Sequence, residues 1–201
     1  MADRPLLIGL TGSIGMGKTE TAKMFARLGV PVYDSDAAVH RLYEPGGAAV
    51  AKIAEAFPST VTAGRVDRAV LSKKLAGDEA AFKKLESIVH PLVAEDQRRF
   101  MEDARDAEMV VQDVPLLFET GGHKRMDAVV VVSAPAALQR KRVLDRPGMT
   151  EAKLDQILSR QMPDEEKRAK AHFVVETDKG FDHAFEQVKS IVAVLRAKRN
   201  A

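Results

Sequence analysis

The chain has 201 residues, 45% of them apolar and 30% charged, with a formal net charge of +2 and no cysteine. That balance suits one sizeable core under a charged surface. It excludes a duplex-wrapping nucleic-acid binder, which needs a concentrated basic face, and it excludes disulfides, thiolate metal sites and a cysteine nucleophile.

In chain order, residues 6–10 (Leu-Leu-Ile-Gly-Leu) predict a buried strand that stops at Thr11 and Gly12. This stretch is too short for a signal peptide and runs into glycines. Gly17, Lys18 and Thr19 open a helix to about Leu28, capped at its end by Gly29. Residues 30–33 predict a second strand, followed by Asp34, Ser35 and Asp36. Residues 37–108 read as helical throughout, with breaks at Pro45, Gly46 and Gly47 and again at Gly77 and Asp78. Asp78 is placed as an N-cap, Phe82, Leu85 and Val89 share a helix face, and Pro91 restarts a helix at a favoured first-turn position. Further strands are expected at 109–112, ending at Asp113, at 127–133 with four consecutive valines, and at 172–175. Residues 135–171 form a second helical stretch, interrupted at 146–148 and at Pro163, with a basic cluster in 140–153. An amphipathic helix at 181–198 closes the chain.

Continuous apolar strands followed by helices predict a parallel sheet covered on both faces. The expected fold is α/β: a parallel five-stranded sheet flanked by helices. The core lies at about 1–36, 109–134 and 172–201, an inserted helical subdomain at about 37–108, and a second helical segment at about 135–171. No apolar run approaches the roughly 20 residues a bilayer requires, and absence of cysteine fits a reducing compartment. The expectation is a cytoplasmic protein with no nucleic-acid, membrane or obligate protein partner.

Residues 12–19, Gly-Ser-Ile-Gly-Met-Gly-Lys-Thr, fit the phosphate-binding pattern G-x-x-x-x-G-K-[ST] at every fixed position. Glycines let the backbone turn sharply and aim N–H groups at phosphate oxygens, and the helix that follows adds partial positive charge. Lys18 is placed to reach the β- and γ-phosphates, and the Thr19 hydroxyl to ligate Mg²⁺. Asp34 and Asp36 follow a strand end, where ligands of open α/β sheets bind. They divide between metal support and acceptance of a substrate proton, or else serve as turn and N-cap residues. Asp113 has the setting of a Walker-B aspartate or of a strand-end cap. Arg142 and Arg146, four apart, can face one side of a helix and steady a transferring phosphoryl group, or form a solvated basic face. His90 is either structural or a substrate contact from the insertion. The Asn-Lys-x-Asp loop of guanine-nucleotide switches is absent, since the only asparagine is Asn200. The expected fold is therefore of P-loop NTPase type, with a helical substrate-binding insertion at about 37–108 and a helical lid at about 135–171. The reading preferred is a small-molecule P-loop kinase with ATP as co-substrate and Mg²⁺; a nucleoside monophosphate kinase and a non-enzymatic nucleotide-binding protein stay open as alternatives.

These residues together resemble the dephospho-CoA kinase family. The resemblance runs through 8–19 with its Leu-Thr-Gly entry, Asp34-Ser35-Asp36, the Arg41 to Gly46 segment with its Pro-Gly, Asp67-Arg68 with Leu71, Leu85 to Pro91 with its His-Pro, and Asp113 to Glu119 with its Pro-Leu-Leu-Phe-Glu. Arg142 and Arg146 fall where the family's lid arginines do. The resemblance implies transfer of the ATP γ-phosphoryl group to the 3′-hydroxyl of the ribose of dephospho-CoA, the last step of coenzyme A synthesis. It implies catalytic roles for Lys18, Asp34, Asp36 and Arg142, with Asp36 orienting or deprotonating the hydroxyl. ATP would be held by Gly12, Gly15, Met16, Gly17, Lys18, Thr19, Glu20 and Arg146, the acceptor by Thr11, Asp36, His90, Pro91 and Leu116, and Mg²⁺ by Thr19, Asp34 and Asp113. The chain departs from the family pattern at Ser13, where glycine is usual, at Glu20, where a hydroxyl residue is common, and at Thr177, near which an asparagine often approaches adenine.

Overall fold

A computed structural model describes residues 4–200; the outermost residues of the predicted core, 1–3 and 201, lie outside the described residues. The chain divides into two compact units, one formed by residues up to Tyr33 and from Ala104 onward, the other by residues 34–103.

The first unit is built on a five-stranded sheet. Its strands are β1 (Leu6–Thr11), β2 (Val32–Asp34), β5 (Met109–Asp113), β6 (Ala128–Ser133) and β7 (Phe173–Glu176), in the order β2-β5-β1-β6-β7. β1 pairs in parallel with β5, Leu6 opposite Met109 through Leu10 opposite Asp113, and with β6, Ile8 opposite Ala128 through Thr11 opposite Val131. β6 pairs in parallel with β7 from Val130 opposite Phe173 to Ser133 opposite Glu176. Four valines stand in a row on β6 because both faces of that strand are buried. Val130 and Val132 join a core with Phe25 of α1 (Lys18–Arg27) and Val188 of α9 (Phe181–Asn200), whereas Val129 and Val131 pack with Leu117 and Phe118 on the opposite face. Side chains alternate along a strand, so a strand covered on both sides has no polar positions to spare.

Gly29 stands just past the end of α1 with φ 77°, the left-handed cap expected of it. β2 begins two residues later than anticipated. Val30 goes to the core instead, and the Pro31 carbonyl accepts the Val111 N–H at 2.9 Å. The predicted breaks at 146–148 and Pro163 separate α6 (Ala136–Leu144), α7 (Glu151–Leu158) and α8 (Asp164–Lys170).

The second unit contains α2 (Ser35–Tyr43), α3 (Val50–Ala56), α4 (Arg68–Leu75) and α5 (Glu79–Asp103) around a core of Leu42, Ile53, Phe57, Leu71 and Val89. Two expectations fail here. The unit is not helical throughout: β3 (Val61–Thr62) and β4 (Arg65–Val66) form an antiparallel hairpin. Its turn residues Ala63 and Gly64 have φ 50° and 76°, the two positive values that suit the twist of a two-residue hairpin. Pro91 does not restart a helix but lies inside the 25-residue α5. A proline ring removes one helical hydrogen bond, and here Leu85, Ile88, Val89, Leu92 and Val93 pack into the core on both sides of it and carry the helix through. Asp78 does cap α5, accepting the Ala81 N–H at 2.9 Å. Among the described residues, no helix is long and apolar enough to cross a membrane.

Candidate active site

The glycine loop leaves β1 at its carboxyl end and enters α1, beside the ends of β5 and β6. Three of its glycines are dictated by space or backbone. A Cβ on Gly12 would lie 2.6 Å from the Val132 carbonyl oxygen, and Gly15 and Gly17 have φ 78° and 101°. Ser13 takes no positive φ, so the serine costs nothing there.

Lys18, the first residue of α1, forms an ion pair with Asp113 at the end of β5, and the Asp113 side chain is only 2% exposed. The Thr19 hydroxyl stands exposed on the first turn, where the helix leaves N–H groups without partners inside it. Glu20 is exposed and pairs with Lys23 at 2.7 Å. Met16 is 2% exposed, its sulfur accepting the Ala134 N–H at 3.1 Å, so only its backbone faces a ligand. Thr11 is fully buried. Its hydroxyl donates to the Pro115 carbonyl at 3.1 Å, so any part it takes with an acceptor runs through the segment bearing the exposed Leu116.

The helical segment 135–171 reaches the loop through side chains that sequence reading did not single out. Gln139 donates to the Ile14 carbonyl at 2.8 Å, and Gln161 accepts the Ile14 N–H at 3.1 Å. Arg142 spends both terminal nitrogens on backbone and hydroxyl oxygens, reaching the Gly15 carbonyl at 3.4 Å, Thr177 Oγ1 at 2.8 Å and the Thr177 carbonyl at 2.7 Å. Arg146 does not share a helix face with it. α6 ends at Leu144, and Arg146 begins the turn after it, its N–H on the Val143 carbonyl at 3.1 Å. Proline at position 147 disfavours continuation of the helix. A cavity of about 590 Å³ opens beside the loop, lined by Ser13, Met16, Gln139, Gln161, Arg168 and Glu176 among others, a volume typical of small-molecule sites.

Glu119 closes the apolar run after Asp113. Its carboxylate accepts the Met162 N–H at 2.7 Å and lies 2.9 Å from the ammonium of Lys167, which is fully buried. Burial alone would raise the Glu119 pKa, but the Met162 N–H and the Lys167 charge outweigh it and hold the carboxyl below its ordinary range. This pair ties the end of the Pro-Leu-Leu-Phe-Glu stretch to α8. No spacing rule in one sequence connects positions 119 and 167.

The other expected site residues lie in the second unit. Asp34 Oδ1 accepts the Ala37 N–H at 2.9 Å and so caps α2. Asp36 is exposed in the first turn of α2, and His90 and Pro91 are exposed on α5.

A family model described as dephospho-CoA kinase matches residues 6–183. The chain belongs to the dephospho-CoA kinase family. The dephospho-CoA kinase of Mesorhizobium japonicum is 54% identical, over 98% of this chain and 100% of its own length. That of Rhodopseudomonas palustris strain CGA009 is 56% identical, over 93% and 94%. A crystal structure from Thermus thermophilus superposes with a TM-score of 0.81 at 33% identity, covering 96% of this chain and 98% of its own. As a dephospho-CoA kinase the chain is an ATP-dependent phosphotransferase.

Proposed function

We propose that the chain transfers the ATP γ-phosphoryl group to the 3′-hydroxyl of the ribose of dephospho-CoA, with the loop and Lys18 holding the phosphates. The observation that carries this reading is the placement of Lys18 beside the buried Asp113 at the carboxyl ends of adjoining parallel strands, the crevice in which open α/β sheets bind ligands. Asp36 orients or deprotonates the acceptor hydroxyl. Its exposed carboxylate is available to a substrate and takes up the hydroxyl proton as the O–P bond forms. The insertion at 37–108, with His90 and Pro91, together with Leu116, holds the CoA precursor. The helices of 135–171 act as a lid that excludes water, with Arg142 acting through the Gly15 carbonyl and Thr177 that it holds and Arg146 binding phosphate.

The donor set also fits Mg²⁺. Thr19 offers a hydroxyl and Asp113 a carboxylate, hard oxygen ligands of the kind this ion takes in company with phosphate oxygens and water, and Asp34 assists. When bound, Mg²⁺ neutralises charge on the phosphates. Lys18 spreads that effect along the β- and γ-oxygens, and the loop N–H groups fix their position. Action in the cytoplasm accords with a chain that contains no cysteine.

The test is turnover of purified protein with MgATP against a panel of acceptors. Formation of coenzyme A and ADP from dephospho-CoA is expected. Phosphorylation of a nucleoside monophosphate, with dephospho-CoA inert, would refute the reading.

A further inference from the structure

Every carbonyl of the phosphate loop from Ser13 to Gly17 has a donor. Ser13 O accepts the Met16 N–H at 3.2 Å, Ile14 O accepts Gln139 at 2.8 Å, and Gly15 O accepts Arg142 at 3.4 Å. Met16 O accepts the Thr177 hydroxyl at 2.7 Å, and Gly17 O accepts the N–H of Thr21 at 3.1 Å. In a trans peptide the carbonyl of one residue and the N–H of the next point in opposite directions. Whatever fixes the Met16 carbonyl therefore fixes the Gly17 N–H on the other side of the same peptide plane.

Thr177 is built for that task. Its own backbone is anchored, the N–H donating to the Ser133 carbonyl at 3.0 Å at the end of β6 and the carbonyl accepting Arg142 Nη2 at 2.7 Å. Its hydroxyl has one proton, and a guanidinium can only donate. Oγ1 therefore accepts from Arg142 Nη1 and sends its proton to Met16 O, the shorter of its two acceptor contacts; Ser133 O at 3.5 Å already receives the Thr177 N–H. The fit is close, because a Cβ on Gly17 would meet the Thr177 side chain at 3.2 Å. We propose that Thr177 is a positioning residue for the phosphate loop: oriented by Arg142, it holds the Met16 carbonyl and so aims the Gly17 N–H at the ATP phosphates. Donors in series of this kind reinforce one another.

The proposal rests on the loop's holding ATP. Thr177→Val keeps the shape and removes the hydroxyl, whereas Thr177→Ser keeps the hydroxyl. MgATP affinity is read directly by calorimetry without acceptor, alongside KM for each substrate and the melting temperature. Thr177→Val is expected to weaken MgATP binding about tenfold, the size of one buried acceptor left unsatisfied. KM for dephospho-CoA should move less than about twofold, and Thr177→Ser should stay within about twofold of wild type, both well under the cost of a lost hydrogen bond. Wild-type MgATP affinity in Thr177→Val, equal losses in the Val and Ser variants, or losses spread evenly over both substrates with a fallen melting temperature would each overturn it. Lys18→Ala, measured in parallel, reports on the loop itself. MgATP affinity unchanged in that variant refutes phosphate binding at the loop, separately from the role of Thr177.

Discussion

Lys18 and Asp113 are paired across the gap between α1 and the end of β5, the ammonium side chain 17% exposed and the carboxylate 2%. On the proposed function a nucleotide would offer each of them a replacement partner, phosphate oxygens for the lysine and Mg²⁺ for the aspartate. Lys18→Ala is therefore expected to cut kcat/KM at least about 10³-fold, roughly 4 kcal/mol of transition-state stabilisation. The fold should survive, at a lower melting temperature, since breaking a buried pair costs stability. Steady-state kinetics with far-UV circular dichroism check both halves; wild-type turnover would remove Lys18 from the site.

Asp34 and Asp36 are separable because only one of them has a visible structural task. Asparagine caps a helix as well as aspartate does, whereas alanine costs about 1 kcal/mol. Asp34→Asn should therefore melt like wild type and Asp34→Ala lower, with both losing activity if the charge at Asp34 assists the metal. Asp36→Asn should leave melting unchanged and lower kcat by roughly 10²–10⁴, the range of a general base. Full activity in Asp34→Asn would make that residue a cap and nothing more.

Much of the site was legible because its parts are local. A strand, a glycine loop with Lys18 and Thr19, and a helix follow one another in sequence, and the valines of β6 declare a strand buried on both faces. What sequence reading missed is long-range. Gln139 and Gln161 meet the loop from 125 and 147 positions away, Thr177, marked in the sequence only as a departure near the adenine, meets it from 161, and Lys167 finds Glu119 across the fold. None of these contacts leaves a periodic or spacing signal in a single chain. The hairpin at Val61 to Val66 is only two residues per strand, and a stretch that short shows no period against the helices around it. Pro91 misled for the opposite reason: packing of its neighbours overrode a strong local rule.

The Glu119–Lys167 pair makes a pH prediction. The folded-state pKa of Glu119 is lowered, so its stabilisation is present above the unfolded value of about 4.3 and is lost as pH falls through the folded value. Glu119→Gln should lower stability by roughly 3 kcal/mol at pH 7 by leaving the buried lysine without its counter-charge. The gap between the two proteins should narrow below about pH 4 as wild type loses the same charge. Urea unfolding at several pH values measures this, and a gap independent of pH would contradict it.

Gly12 and Gly29 separate steric from conformational demands on glycine. At Gly12 an added methyl would sit 2.6 Å from the Val132 carbonyl, and Val132 is fully buried in the sheet and has nowhere to move. The loop must then shift off β6, so Gly12→Ala should lose about 1–3 kcal/mol, as overpacked sites do. KM for ATP should rise more than tenfold, because a displacement of that size misaligns several N–H donors together. At Gly29 nothing lies within 4 Å of the added methyl, and only the positive φ of 77° opposes it. Gly29→Ala should cost about 1 kcal/mol and leave KM for ATP unchanged, since the cap at the far end of α1 does not touch the loop. Melting curves and ATP titrations of the two variants distinguish the cases. Equal KM values would mean that the loop tolerates displacement from β6 and that its amides do not position the phosphates.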